Sequence, residues 1–592
     1  MSDYRYPYQD GIFVLNELIG LEQICHQAGL DDVADGLAEA ILDEATKMGS
    51  EQLAPLNRVG DSTGATLKDG QVHETPGFSD AYRHFCEGGW PSLGADPEFG
   101  GQGLPAALAV AVNEVWQSAN LAWSLCPLLT QGAIESISAH GSDQLKQQYL
   151  PKLISGEWTG TMNLTESDAG TDLAALKTRA VRDGDHYRIT GQKIFITWGD
   201  HQMTDNVVHL VLARLPDAPA GVKGISLFLV PKFLLDENGN TTDQRNDAYA
   251  VSLEHKLGIH GSPTCVMSFG DNDGAIGYLI GEENKGLACM FTMMNDARQG
   301  VGLQGLAISE RAYQQALTYA KERIQGTLRD GSRISIIKHP DVRRMLMQMK
   351  SCTQAMRALT YVAKAESDQH AAETDPAVKA KRKARVDLYT PIVKGWITEL
   401  SQEITYLAVQ VHGGMGFIEE TGVAQHYRDA RILTIYEGTT GIQALDLIGR
   451  KTLADGGEAL SALIAEINSD MSEITDPKLQ SVVTSMQESL SNAISAQQWI
   501  LDKAAKDANV AGAVSVHFMM LLGYLCGGWL MAKSANRALS LQAEEGADQE
   551  FLESKIVCAR FYAEQMLPRT VSSLNAIYSG DESTMALSED QF

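Results

Sequence analysis

The chain has 592 residues, length for about three to four domains, and its 44% hydrophobic and 21% charged composition is that of a soluble globular protein. A net charge of −27 argues against a nucleic-acid or anionic-membrane partner. The eight cysteines are scattered without a CxxC pair, which implies reduced thiols, no disulfide framework, no metal site and a cytoplasmic setting.

Met1–Tyr8 shows no basic region leading into an apolar one, so no signal peptide is expected. Residues 1–160 read as an N-terminal helical domain. Short helical patterns flank a polar connector, Asn57–Gly77, and precede a turn-rich crossing, Trp90–Pro105. That crossing holds Gly101-x-Gly103-x-x-Ala106, but no strand precedes it, so a dinucleotide fingerprint is rejected. Leu104–Trp158 is helical and apolar, with Gly141 as a helix stop.

Near Thr161 the pattern becomes alternating, and residues 161–285 read as a β domain. Asp183-Gly184 signals a hairpin; Tyr187–Thr190, Ile194–Thr197, Val207–Ala213 and Ile225–Val230 read as strands, and Asp236–Asp247 as a polar insertion. Residues 286–451 return to helical spacing in four stretches: Leu287–Ala320, Val342–Glu366, Val386–Gln410 and Ala424–Ile432. The basic run Lys379–Arg385 reads as a solvated helix flank. Residues 452–592 form a further helical region; from 453 onward it carries 8 Lys/Arg against 19 Asp/Glu. Its uncharged stretch between Asp507 and Lys533 is long enough to raise a membrane span, but His517, Gly523, Gly527 and Gly528 interrupt it. A buried core or subunit-interface helix is expected instead. The fold class is α+β, mostly α.

Two stretches carry chemistry. Met162–Asp172 is a polar loop whose hydroxyls and main-chain N–H groups suit a phosphate or a heterocycle. Arg431–Gly441 sets Glu437 between an apolar run and a Gly-Thr-Thr-Gly breaker. A lone glutamate is ordinarily a solvated surface group. This one should sit at a helix end or tight turn with little water, where desolvation lifts a carboxyl from about 4.3 towards neutrality. A general base for a weak carbon acid needs that.

Tyr436-Glu437-Gly438-Thr439, after Arg428-Asp429-Ala430-Arg431-Ile432, resembles the catalytic signature of the acyl-CoA dehydrogenases. The resemblance implies that Glu437 removes an acyl-CoA α-proton while the flavin of FAD takes a β-hydride. Thr165-Glu166-x-x-Ala169-Gly170-Thr171 is similar to the family's flavin loop, with Ser167 for the usual proline and Thr171 for serine. It places Leu164 and Thr165 at the ring, and Gly170 and Thr171 at the pyrophosphate and pantetheine. Gly191–Thr197 matches "G-x-K-x-W-I-T" with Phe195 for tryptophan, covering one flavin face while Thr197 bonds its edge. Arg298 matches an arginine near the acyl-CoA site, and Ala297 occupies the position where some relatives carry their base. The resemblance also puts Tyr436 and Gly438, on either side of the base, beside the substrate. Arg323 and Gln325 resemble a contact to a neighbouring subunit's flavin. Gln410, Gly413 and Gly414 resemble "Q-x-x-G-G-x-G", which holds the adenosine half of a partner's FAD; Thr439 would touch the diphosphate, and Gly441 replaces the family's glutamine.

The likeness covers about residues 80–450, with motifs in order. The added C-terminal region matches a longer subgroup that includes 3-methylmercaptopropionyl-CoA dehydrogenases and broad-range fatty acyl-CoA enzymes. It implies reoxidation by an electron-transfer flavoprotein and a homo-oligomer, with a dimer favoured. An acyl-CoA oxidase and a DNA-binding flavoprotein relative are the alternatives.

Overall fold

The computed structural model describes residues 4–31 and 33–592. The chain forms two compact units, one of residues 47–104 and 119–300, the other of residues 4–46, 105–118 and 301–592. Both are discontinuous in sequence.

The first unit is built on an eight-stranded sheet. Its spatial order is Ala248–Leu253, Thr264–Phe269, His186–Thr197, Ala275–Ile280, Ile225–Pro231, Asn206–Arg214 and Trp158–Asn163, with Arg179–Asp183 paired against His186–Thr197. The Trp158–Asn163 strand runs parallel to Asn206–Arg214, whereas Ile225–Pro231 pairs with it antiparallel. These strands read as unbroken apolar runs because both faces are covered, and the two-residue period then sorts the side chains. Val208, Leu210, Leu212, Leu227 and Leu229 pack with Leu129, Ile137, Tyr149 and Leu153 from the Leu121–His140 and Asp143–Ile154 helices. Val211, Ala213, Phe228 and Val230 point into a second core with Ile189, Phe269 and Val72.

Gly141 closes its helix, and Ser142 caps the next by accepting the Leu145 N–H. Two polar stretches hold more order than their composition suggests. Asn57–Gly77 contains the end of the Ala54–Thr63 helix and a hairpin of Thr66–Lys68 with Gln71–His73. The Asp236–Asp247 insertion supplies Thr241–Arg245, which pairs with Phe233–Leu235.

The second unit is helical. Its long members are the Gly286–Glu322 helix from Val301 onward, Pro340–Ala372, Pro376–His412, Gln480–Lys503, Ala508–Leu541 and Gln549–Gln565. Among the described residues Ala508–Leu541 is the one helix long and apolar enough to cross a membrane. It is mostly buried, packed on Pro340–Ala372, Pro376–His412, Gln549–Gln565 and Arg569–Tyr578. At the centre of the unit Arg357 binds Glu114 at 2.7 Å and Glu310 at 2.8 Å. Tyr361 donates to Glu114 at 2.6 Å and meets the Tyr6 hydroxyl at 2.9 Å, which draws the chain's first described residues into this core. The Lys379–Arg385 run is paired: Arg382 meets Glu366, and Arg385 meets Glu466.

Candidate active site

In the helical unit the Val423–Ala430 helix tightens into a 3-10 turn, Arg431–Thr434, and then breaks. Glu437 follows with φ 57°, a left-handed conformation that a residue with a Cβ adopts only when its surroundings impose it. Gly438 continues at φ 88°, and a Cβ there would lie 2.7 Å from Gln443 Nε2. Thr439 then accepts the Ile442 N–H and starts the Thr440–Leu445 helix. The carboxylate thus stands on a half-buried reversal between two helices.

Neighbouring side chains fix this reversal. Lys394 Nζ donates to Gly438 O at 2.6 Å, and Gln443 Nε2 donates to Glu437 O at 3.1 Å. Thr440 Oγ1 donates to Glu399, and Gln402 Nε2 donates to Ala430 O at 2.7 Å. The Tyr436 hydroxyl donates to Gln304 Oε1 of the Gly286–Glu322 helix. Burial, reinforced by the Glu437 and Asp429 charges, pushes the Tyr436 phenol up and keeps it protonated.

In the sheet unit the Asn163–Thr171 loop is held from beneath. Glu166 accepts from Lys193 Nζ at 2.8 Å, Lys177 N at 2.6 Å, Thr178 N at 3.0 Å and Thr178 Oγ1 at 2.6 Å. Burial alone would raise its carboxyl; Lys193 and these hydrogen bonds more than offset that and hold it below the usual range. Lys193 Nζ also donates to Leu164 O at 3.0 Å, and Ile194 N donates to Thr165 O at 2.9 Å. Leu164 and Thr165 are half-buried on this platform, while Gly170 and Thr171 are exposed.

Phe195 is the clearest departure from a regular strand. Cys265 pairs with Ile196 and Met267 with Lys193, so two residues of one strand, Ile194 and Phe195, face one of the other. The bulge puts Phe195 at φ 60° and turns its ring outward, 59% exposed. Thr197 beside it is half-buried. Behind the same strand His201 and His209 are buried neutral imidazoles. Met203 N donates to His201 Nδ1 at 3.1 Å, which leaves Nε2 as the protonated nitrogen facing Thr159 Oγ1 at 2.9 Å. Burial pushes His201 down to about 4 and His209 to about 3. Arg298 is buried near the end of this unit's chain, its Nη1 donating to Asn295 Oδ1 at 3.3 Å and its guanidinium over the Phe291 ring. Ala297 is buried, with no carboxylate at that position.

Other motif residues lie in the helical unit. Arg323 and Gln325 are exposed, Gln325 in the Ile324–Thr327 strand, which pairs with Arg333–Ser335 across the insertion. Gln410 lies in the last turn of the Pro376–His412 helix; Gly413 turns at φ 59°, and Gly413 and Gly414 present open main chain. Below them His412 stacks on Tyr319 at 4.3 Å. These surfaces suit FAD: the outward Phe195 ring offers a flat apolar face, and the bare backbone at Gly170, Gly413 and Gly414 can approach phosphate or adenosine without a Cβ intervening.

Residue pattern alone missed Lys193 and Glu166 as the loop's anchor, and Lys394, Glu399, Gln402, Gln443 and Gln304 around the turn. A signal existed for Lys394, a lone cation in the apolar run Ile392-Val393-Lys394-Gly395-Trp396-Ile397.

Family comparison agrees with the fold. The acyl-CoA dehydrogenase N-terminal domain matches residues 38–157, the middle domain 161–272 and the C-terminal domain 284–453. An acetyl-CoA dehydrogenase C-terminal-like domain matches 463–588. The chain is 46% identical over 575 residues to the 3-methylmercaptopropionyl-CoA dehydrogenase of Ruegeria pomeroyi, covering 95% of this chain and 96% of that protein. It is 33% identical to a broad-specificity linear acyl-CoA dehydrogenase of Mycobacterium tuberculosis, covering 100% of both chains. Among solved structures, an FAD-complexed acyl-CoA dehydrogenase from Bacillus anthracis superposes with a TM-score of 0.74 at 21% identity, covering 93% of this chain and 90% of that one. The chain belongs to the acyl-CoA dehydrogenases, FAD-dependent oxidoreductases acting on a CH–CH group.

Proposed function

We propose that this enzyme converts an acyl-CoA thioester to its trans-2-enoyl-CoA with Glu437 as the base. The observation that carries the reading is the Tyr436–Gly438 reversal, a carboxylate set on left-handed backbone and braced by side chains from two helices. Glu437 takes the α-proton; its main-chain N–H is the proposed donor to the thioester carbonyl, which acidifies that proton. FAD, held by the residues below, would supply the acceptor for the β-hydride. Leu164, Thr165, Gly170, Thr171, Phe195 and Thr197 are assigned to the cofactor, as are Arg323, Gln325, Gln410, Gly413, Gly414 and Thr439. Thr171, Arg298, Tyr436 and Gly438 are assigned to substrate.

The end-to-end likeness to the Ruegeria pomeroyi enzyme supports a short acyl group of the 3-methylmercaptopropionyl type. An electron-transfer flavoprotein is the proposed electron acceptor. A second copy of this chain is the proposed partner, on the strength of exposed Met415, Phe417 and Ile418 beside Gly413 and Gly414. Eight unpaired cysteines support a cytoplasmic setting. Anaerobic flavin bleaching by a panel of acyl-CoAs tests the assignment. Glu437→Gln should keep FAD and slow bleaching by more than about 10²-fold, whereas near-wild-type bleaching would place the base elsewhere.

A further inference from the structure

We propose that Lys394 is a positioning residue for the reaction, holding the Glu437–Gly438 reversal in place and favouring the ionised form of the Glu437 carboxyl. This rests on Glu437 being the base. Lys394 lies in the middle of the Pro376–His412 helix with no exposed surface, in a stretch where Leu388, Ile392, Val393, Trp396 and Ile397 are buried as well. Removing an ammonium from water costs several kcal/mol, so a fully buried lysine needs strong compensation. One bond it makes is to Gly438 O, at 2.6 Å, next to the catalytic residue.

A carbonyl needs only a neutral donor, and Gln443 Nε2 already reaches the same oxygen at 3.4 Å. A charged donor adds a field at the adjoining carboxylate. Titratable groups beside the reversal include Asp429, Arg431 and Tyr436 from its own segment, and Lys394 and Glu399 from the packed helix. Asp429 and Glu399 oppose a second negative charge there. The buried Lys394 favours it, and its anchor at Gly438 ties that field to the backbone geometry that aims Glu437.

The test is Lys394→Met in the holoenzyme, compared with wild type and Glu437→Gln. Expected are wild-type FAD content, an acyl-CoA dissociation constant within about threefold, and bleaching slowed by about tenfold or more at pH 7. The rising limb of rate against pH should move up by about one unit, because loss of a nearby cation raises a carboxyl pKa. If Lys394→Met does not fold, Gln443→Leu removes the neutral donor and keeps the charge. It should slow bleaching while leaving the pH limb in place, and a shifted limb would overturn the division of roles. Wild-type bleaching in Lys394→Met, or slowing with an unmoved pH limb, would reduce Lys394 to packing. With Glu437→Gln inactive, that result would remove this inference alone; an active Glu437→Gln would remove the base assignment itself.

Discussion

Replacing Lys193 by Met separates a structural anchor from the cofactor surface above it. Lys193 has no exposed surface, and the substitution removes both the 2.8 Å ion pair to Glu166 and the donor to Leu164 O. Breaking a buried pair by deleting one partner costs about 3–5 kcal/mol. Glu166 would keep Lys177 N, Thr178 N and Thr178 Oγ1, which argues for the lower end, about 3 kcal/mol. A unit of this size should then lose about 6–12 °C in melting temperature. The Leu164–Thr165 segment would lose its tether, so FAD should dissociate more readily. Urea unfolding by tryptophan fluorescence gives the stability loss, and flavin-fluorescence titration gives FAD affinity. Adding Glu166→Gln removes the uncompensated charge and should recover a large share of the loss. A single substitution costing under about 1 kcal/mol, or a double variant no better than the single, would refute the argument.

Gly438→Ala should slow flavin bleaching with little loss of FAD, because φ is 88° and the new methyl would press on Gln443; stopped-flow absorbance reads this directly. Arg357→Met strands Glu114 and Glu310 in the core and should cost about 3–5 kcal/mol, seen as a lowered melting temperature. Acid should weaken the sheet unit. His201 and His209 have folded pKa values of about 4 and about 3, below the unfolded value of about 6.5. Their stability contribution is complete above about pH 6.5 and is lost as pH falls towards those values, about 2 kcal/mol each by pH 5. Urea midpoints at pH 7 and pH 5 check this, and a His201→Gln, His209→Gln double variant should show a shallower slope.

The reversal at Glu437 was legible because an apolar run stopped by Gly-Thr-Thr-Gly has few ways to continue. Strands Val207–Ala213 and Ile225–Val230 were legible for a similar reason: an apolar run of strand length between turn signals leaves little choice. Phe195 shows the limit. Alternation identifies its strand, but the extra residue that turns the ring outward depends on pairing with Cys265 and Met267, some seventy residues later. Lys193 and Lys394 were opaque for a different reason. A buried lysine is intelligible only through its partners, and Glu166 and Gly438 O lie 27 and 44 positions away in sequence. Polar composition misled at Asn57–Gly77 and Asp236–Asp247, where short hairpins need few apolar residues because main-chain pairing carries them.

The discontinuity of the helical unit sets an order of events during synthesis. Tyr6 meets Tyr361, and Asp10 pairs with Lys555, so the earliest described residues wait for partners made hundreds of codons later. At about 5–20 residues per second the interval from Asp10 to Lys555 is roughly half a minute to two minutes on the ribosome. The sheet unit, complete at residue 300, can condense meanwhile. Until the last helices emerge, Asp10, Phe13 and the faces of the Pro340–Ala372 and Pro376–His412 helices that the Ala508–Leu541 helix covers stay open to holdase chaperones. Truncation within the final hundred residues should therefore leave a nascent chain whose leading end is accessible to protease.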